Sequence, residues 1–278
     1  MKTTAPKSKL AQTYQPQIHH GDCREVLTQL PAQSIDLIFT SPPYSDRRKS
    51  SYGGIKPQNY VDWFLPIAKE LKRVLKPTGT FMLNIKEKAM NGQRHPYVLE
   101  LILALKEQGW LWTEEYIWHK KNPFPGKWRN RFRDAWERLL QFNKQKQFAM
   151  YQEAVMMPVS PSTQARMQRL RKQDHKVKIS QSGSGFRVRT SNWKDRKLVY
   201  PTNVLHLGTT AHNKEHSATF PDALPEWFIK LFTKENDTIL DPFMGSGTTN
   251  FVAQQLKRQS IGIEILPKYF ELVKAKIN

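Results

Sequence analysis

Short apolar runs and amphipathic segments alternate along most of this chain. Ile35-Asp-Leu-Ile-Phe39 is an apolar run that stops at Thr40-Ser-Pro-Pro-Tyr44. Neither a helix nor a central strand can continue through two prolines, so the pattern predicts a strand followed by a rigid loop. Apolar positions at Trp63, Phe64, Ile67, Ala68, Leu71 and Leu75 recur at helical spacing, and Pro77-Thr-Gly79 ends that helix before a strand at Thr80 to Ile85. A second amphipathic helix, Tyr97 to Gln108, and an aromatic strand, Trp110 to Trp118, follow. The pattern then gives way to basic, Ser/Gln-rich sequence. It returns with a strand at Val204 to Leu207, a helix at Pro225 to Phe232 and a strand at Thr238 to Leu240. A helix over Asn250 to Lys257, a strand at Ile261 to Ile265 and a helix from Lys268 onward complete it. Repeated strand-helix units predict an α/β fold, a doubly wound and mostly parallel sheet with helices on both faces. The expected organisation is a flexible arm at 1–17, two halves of one core at 18–123 and 201–278, and an insert at 124–200 between them.

Composition narrows the class. A chain of 278 residues with 38% hydrophobic content can bury a large core. Cys23 is the single cysteine, which excludes an internal disulfide or a cysteine-rich zinc cluster and fits a reducing cytoplasm. No apolar run approaches the roughly 20 residues of a membrane span, and the N-terminal stretch is polar, so a soluble, unexported protein is expected. The net charge of +20 points to a polyanionic partner. Its distribution is more telling, because His119 to Val199 carries 20 Lys/Arg against 5 Asp/Glu, or 15 of the 20 net charges. A segment that faces nucleic acid accounts for this better than a generic lysine-rich exterior, and membrane binding is disfavoured because the segment has no apolar-faced helix.

Two loops at predicted strand ends could carry chemistry. Asp241-Pro-Phe-Met-Gly-Ser-Gly-Thr-Thr249 lies between a strand and a helix, with glycines at 245 and 247 that allow the backbone to approach a ligand closely. It lacks the lysine of a phosphate loop. Glu264, at the end of the next strand, could hold two ribose hydroxyls, so the pair suggests an adenosine-containing cofactor; a glycine turn and an ordinary surface glutamate are the alternative. In Thr40-Ser41-Pro42-Pro43-Tyr44 the prolines fix the backbone and hold the Ser41 hydroxyl and the Pro42 carbonyl as acceptors, while Tyr44 offers a flat face. An aromatic amine would fit there, and acceptors for its N–H hydrogens would free the nitrogen lone pair to attack a sulfonium methyl. A surface turn is the competing account of that loop. His19-His20 and the pair His212 and His216 lack matching acidic or cysteine ligands, so no metal site is expected.

With these motifs in this order, and with Asn213-Lys-Glu-His216-Ser-Ala-Thr-Phe220-Pro221 between them, the chain closely resembles the beta-type S-adenosylmethionine-dependent DNA amino-methyltransferases, the Ser-Pro-Pro-Tyr subgroup of the N4-cytosine and N6-adenine family. The resemblance runs from about Ile18 to the C-terminus apart from the basic insert. It implies a Rossmann-like class I methyltransferase core, with 18–123 as its catalytic half, 201–278 as its cofactor-binding half and 124–200 as a target-recognition insert. It implies that S-adenosylmethionine, leaving as S-adenosylhomocysteine, is held by Asp22, Thr40, His216, Phe220, Pro221, Asp241, Pro242, Phe243, Gly245, Ser246, Gly247, Thr248 and Glu264. For Asp22 the alternative is the cap of a short helix. Ser41, Pro42, Pro43 and Tyr44 become the catalytic residues, with Tyr44 stacking on a base flipped out of the duplex. Trp118 and Asn122, in Trp118-His-Lys-Lys-Asn122-Pro123, would line the target-base pocket. Arg129, Arg131, Arg133, Arg187, Arg189 and Arg196, interleaved with Trp128, Phe132, Phe186 and Trp193, suit groove and phosphate contact.

The function so implied is site-specific methylation of cytosine N4 in double-stranded DNA by direct transfer, without a metal, in the cytoplasm of a microbe. A cognate restriction endonuclease is admitted as a partner, and the oligomeric state is left open. Serine at the head of the loop goes with cytosine more often than with adenine in this family, so adenine N6 stays as the alternative. A non-catalytic DNA-binding protein on the same fold is the second. Carbon-5 chemistry is excluded, because that family needs a Pro-Cys dipeptide and Asp22 precedes Cys23.

Overall fold

The computed structural model describes residues 14–45, 54–123, 125–127, 129–179, 187–209 and 220–277. Eight strands form the central sheet: β1 (Gln17–His20), β2 (Ile35–Thr40), β3 (Leu75–Ile85), β4 (Leu111–Lys120), β5 (Trp136–Asn143), β6 (Val204–Leu207), β7 (Thr238–Asp241) and β8 (Gln259–Glu264). Their order is β1-β8-β7-β2-β3-β5-β4-β6. Only β5 runs against its neighbours, between β3 and β4, so the sheet is mostly parallel as the alternating pattern predicts. The seven parallel strands therefore end at one common edge.

Helices cover both faces. Helix α2 (Tyr60–Val74) buries Tyr60, Phe64, Ile67, Ala68, Leu71 and Val74, the stripe that a 3.6-residue period dictates. It packs between α1 (Cys23–Gln29) and α3 (Tyr97–Glu107), over a sheet face that includes Ile38, Phe81, Phe142, Leu240 and Ile263. Side chains alternate along a strand, so Phe39 points to the opposite face. There it meets Phe228 of α5 (Ala223–Phe232), with ring centroids 5.4 Å apart. Helix α6 (Thr248–Gln255) packs beside α5, and α7 (Pro267–Ile277) against β1 and β8.

Element boundaries differ from the sequence pattern by a few residues at several ends and more deeply in two places. Strand β3 begins at Leu75, directly at the end of α2, because Pro77 and Gly79 lie within an extended segment instead of a separate turn. Strand β5 falls inside the stretch assigned to the insert, yet Leu139, Leu140 and Phe142 are fully buried in the sheet. Local basic sequence masked a strand whose burial comes from pairing with β3 and β4. The chain forms two compact units, 1–150 with 203–278, and Tyr151–Thr202. The smaller unit contains α4 (Pro161–Gln168), capped by Ser160, and two short antiparallel bridges. Its Asp174 carboxylate is enclosed and paired with Arg166 at 2.7 Å, which holds it well below the usual carboxylate range. Among the described residues no helix is long and apolar enough to cross a membrane.

Candidate active site

The order of the strands fixes where a site can form. After β2 the chain moves to β3 on one side, and after β7 it moves to β8 on the other, so β2 and β7 flank the point where the winding reverses. In open α/β sheets a crevice opens there, beyond the carboxyl ends of the strands. The two sequence-predicted loops leave from those two ends. Thr40, the last residue of β2, donates its hydroxyl to Asp241 Oδ1 of β7 at 2.6 Å, and the Phe243 amide donates to the same oxygen at 3.1 Å. Burial pushes the Asp241 carboxyl up to about 6, against the opposing pull of those hydrogen bonds.

The glycine loop is shaped by backbone conformations that favour glycine. Gly245 and Gly247 adopt φ of 55° and 80°, and Gly247 caps α6. Glu264, at the end of β8, accepts the Gly245 amide at 2.8 Å through one oxygen and the Leu266 amide at 2.8 Å through the other. Each oxygen keeps a further lone pair for a ligand hydroxyl. Desolvation raises the pKa of Glu264 despite those amides. Two nearly buried carboxylates thus stand at adjacent strand ends, suited to a ligand that brings hydroxyl donors and positive charge. Aromatic surface flanks them, with Phe243 5.8 Å from Trp63 and Phe220 5.4 Å from Phe39. Pro242 is buried; Ser246, Thr248 and Pro221 are partly exposed. Asp22 caps α1 through the Arg24 amide and pairs with the Arg24 guanidinium, so its carboxylate is engaged locally. His216 lies outside the described residues.

The Ser-Pro-Pro-Tyr loop is pinned on both sides. Tyr60 of α2 donates to the Pro43 carbonyl at 3.0 Å, and Ser45 to the Ile55 carbonyl at 2.9 Å, while Pro42 is buried. Ser41 directs its hydroxyl toward the Tyr44 oxygen at 3.3 Å, and Tyr44 donates to Glu137 Oε2 at 2.6 Å. The same carboxylate oxygen accepts from Asn84 at 3.2 Å, and Lys120 holds the other oxygen at 2.5 Å. Burial of the hydroxyl, then the Glu137 charge, raises the Tyr44 pKa well above the phenol range and keeps it a donor. This chain of bonds directs the Ser41 proton toward Tyr44, which leaves the hydroxyl's lone pairs able to accept a hydrogen bond.

Glu137 and Asn84 belong to no motif, Lys120 lies in the Trp118 to Pro123 segment without being singled out, and sequence reasoning missed all three. One signal existed: Glu137 is the one acid of the β5 segment Trp-Glu-Arg-Leu-Leu-Gln-Phe-Asn, on the strand face it shares with Leu139, Gln141 and Asn143. Trp118, expected at the target-base pocket, is 3% exposed, because β6 pairs alongside β4 and covers it. Its indole donates to the Leu207 carbonyl at 3.3 Å and carries the Lys120 ammonium 4.8 Å from its ring, so its visible role is to support Lys120. Asn122 accepts from the Thr209 amide at 2.7 Å and joins the loops after β4 and β6. Arg129 and Arg133 are exposed, and Arg131 pairs with Asp134 at 3.3 Å. Arg187, Arg189 and Arg196 are exposed in the smaller unit. Phe124, Trp128, Phe186 and the side chain of Trp193 are outside the described residues.

A family model for N6/N4 methyltransferases, described as DNA methylase, matches residues 35–275. The type II methyltransferase M.PvuII of Proteus hauseri is 33% identical over 271 residues, covering 90% of this chain and 80% of that protein. M.Cfr9I of Citrobacter freundii is 28% identical over 291 residues, covering 92% and 85%. Among solved structures, the cytosine-N4-specific PvuII DNA methyltransferase superposes with a TM-score of 0.71 at 26% identity over 94% of this chain and 86% of that one. A DNA modification methylase of Thermus thermophilus, solved in complex with S-adenosyl-L-methionine, shares the fold with a TM-score of 0.61 at 24% identity, over 94% and 93%.

Proposed function

This chain belongs to the DNA methylase family of N6/N4 amino-methyltransferases, and from that premise we propose that it methylates N4 of cytosine in duplex DNA. It is an S-adenosylmethionine-dependent DNA methyltransferase on a class I core. The observation that carries the reading is the join at the switch point, where the Thr40–Asp241 bond ties the Ser-Pro-Pro-Tyr loop to the glycine loop across β2 and β7. Cytosine is supported by Ser41 and by the likeness to the cytosine-N4-specific PvuII methyltransferase.

S-adenosylmethionine, when bound, supplies an electrophilic sulfonium methyl. Asp241 and Glu264, with the aromatic rings beside them, are the residues that would hold it. The Ser41 hydroxyl and the Pro42 carbonyl accept the amine hydrogens, which frees the nitrogen lone pair. Tyr44 stacks on the extruded base while Glu137 and Lys120 fix its ring, so much of the rate advantage is positioning. Arg129, Arg131, Arg133, Arg187, Arg189 and Arg196 contact the duplex, and Asn122 borders the base pocket. A cognate restriction endonuclease and a place in the microbial cytoplasm belong to the same reading.

The test is incubation with methyl-labelled S-adenosylmethionine and mixed-sequence duplex DNA, then nucleoside digestion and mass spectrometry. N4-methylcytosine is expected, and Ser41→Ala should lower turnover about a hundredfold or more with cofactor affinity unchanged. N6-methyladenine would overturn the cytosine assignment, and unchanged turnover in Ser41→Ala would overturn the role of Ser41.

A further inference from the structure

Phe132 is 95% exposed. A lone exposed apolar side chain is ordinary on a protein surface, but three features set this one apart. It sits on the connection between β4 and β5, which leaves and re-enters the sheet at the catalytic edge, between Lys120 and Trp136. The foot of that connection is braced: Asp134 pairs with Arg94 at 2.8 Å, Arg131 at 3.3 Å and Lys86 at 3.4 Å, and the Lys120 amide donates to the Ala135 carbonyl at 2.7 Å. Burial works against the Asp134 charge, and the surrounding cations outweigh it to hold the carboxyl below its ordinary range. Third, the residues around Phe132 are cationic, Arg129, Arg131 and Arg133. The aromatic tip therefore projects from a fixed base within a basic surface.

We infer that Phe132 is a wedge that enters the duplex beside the target base pair and fills the space left when the base is extruded. This rests on the base-flipping methyltransferase reading above. Phe132 is five residues from Glu137, a span of at most about 18 Å, and Glu137 holds the Tyr44 hydroxyl at 2.6 Å. The start of β5 and the connection just before it thus carry both the residue that anchors Tyr44 and the residue that replaces the base. Apolar wedges of this kind unstack a base step at a cost that the flanking phosphate contacts offset. A side chain of purely structural use would be covered, whereas a wedge must stay exposed until DNA arrives.

The experiment compares methylation of two duplexes containing the mapped target, one with the target base normally paired and one with an abasic site opposite it. Phe132→Ala should lower kcat about tenfold or more on the paired duplex and recover most of that loss opposite the abasic site, where extrusion is cheap. Phe132→Leu, which keeps an apolar wedge, should retain most activity on both. Full activity of Phe132→Ala on the paired duplex, or an equal loss on both duplexes, would overturn the wedge. Failure of the underlying reading would show separately, in wild-type protein: no enhanced fluorescence from 2-aminopurine at the target position.

Discussion

The two parts of the Tyr44 side chain have different proposed uses: the ring is proposed to stack on a base, and the hydroxyl is held by Glu137. Removing the hydroxyl alone separates them. Tyr44→Phe should keep cofactor affinity and lower turnover about tenfold, equivalent to ~1.4 kcal/mol, since the ring loses its anchor; single-turnover kinetics with measured cofactor binding would show it. Wild-type turnover in that variant would mean that the hydroxyl network has no part in positioning. Glu137→Gln should produce a similar kinetic loss and also lower stability by about 1–3 kcal/mol, because Lys120 is left partly buried without its counter-charge. Ser41 and Tyr44 were legible as residues from their motif. The role of Glu137 was not, since its partner lies 93 positions away and nothing in its own segment points to Tyr44.

At the scale of elements, the glycine loop depends on what the neighbouring strand lacks. A Cβ on Gly262 of β8 would sit 2.3 Å from Met244 Sδ and 3.0 Å from Asn250 Oδ1, so Met244 packs where a side chain would otherwise be. Gly262→Ala should push Met244 and the loop outward. We expect weaker S-adenosylmethionine binding by about tenfold in calorimetric titration, with a stability loss of about 1–3 kcal/mol from overpacking. Unchanged affinity would show that the loop tolerates displacement. The loop itself was readable because its two glycines, its proline and the flanking apolar strand are contiguous, whereas the Met244–Gly262 contact joins two elements and leaves no local signature.

For the whole molecule, the net charge of +20 should make DNA binding steeply salt-dependent. Plotted as the logarithm of the binding constant against the logarithm of salt concentration, the slope should fall by about one for each of Arg129→Ala and Arg133→Ala if each meets a phosphate. A slope that does not change would remove those residues from the phosphate contacts. Charge is a sum over side chains, so the sequence carries it in full. How the basic stretch divides between a core strand, a loop and a compact unit at Tyr151–Thr202 is set by long-range pairing.

The sequence by itself determined the alternation of elements, the two chemical loops and their order along the chain, because hydrophobic period, proline and glycine act locally. It also determined the family, since the motifs that carry the resemblance are short and contiguous. Tertiary structure alone decided that β5 runs between β3 and β4, that Thr40 meets Asp241, and that Glu137 reaches Tyr44. Each joins residues far apart in the chain, and their proximity follows from strand order and burial, not from the chemistry of any segment.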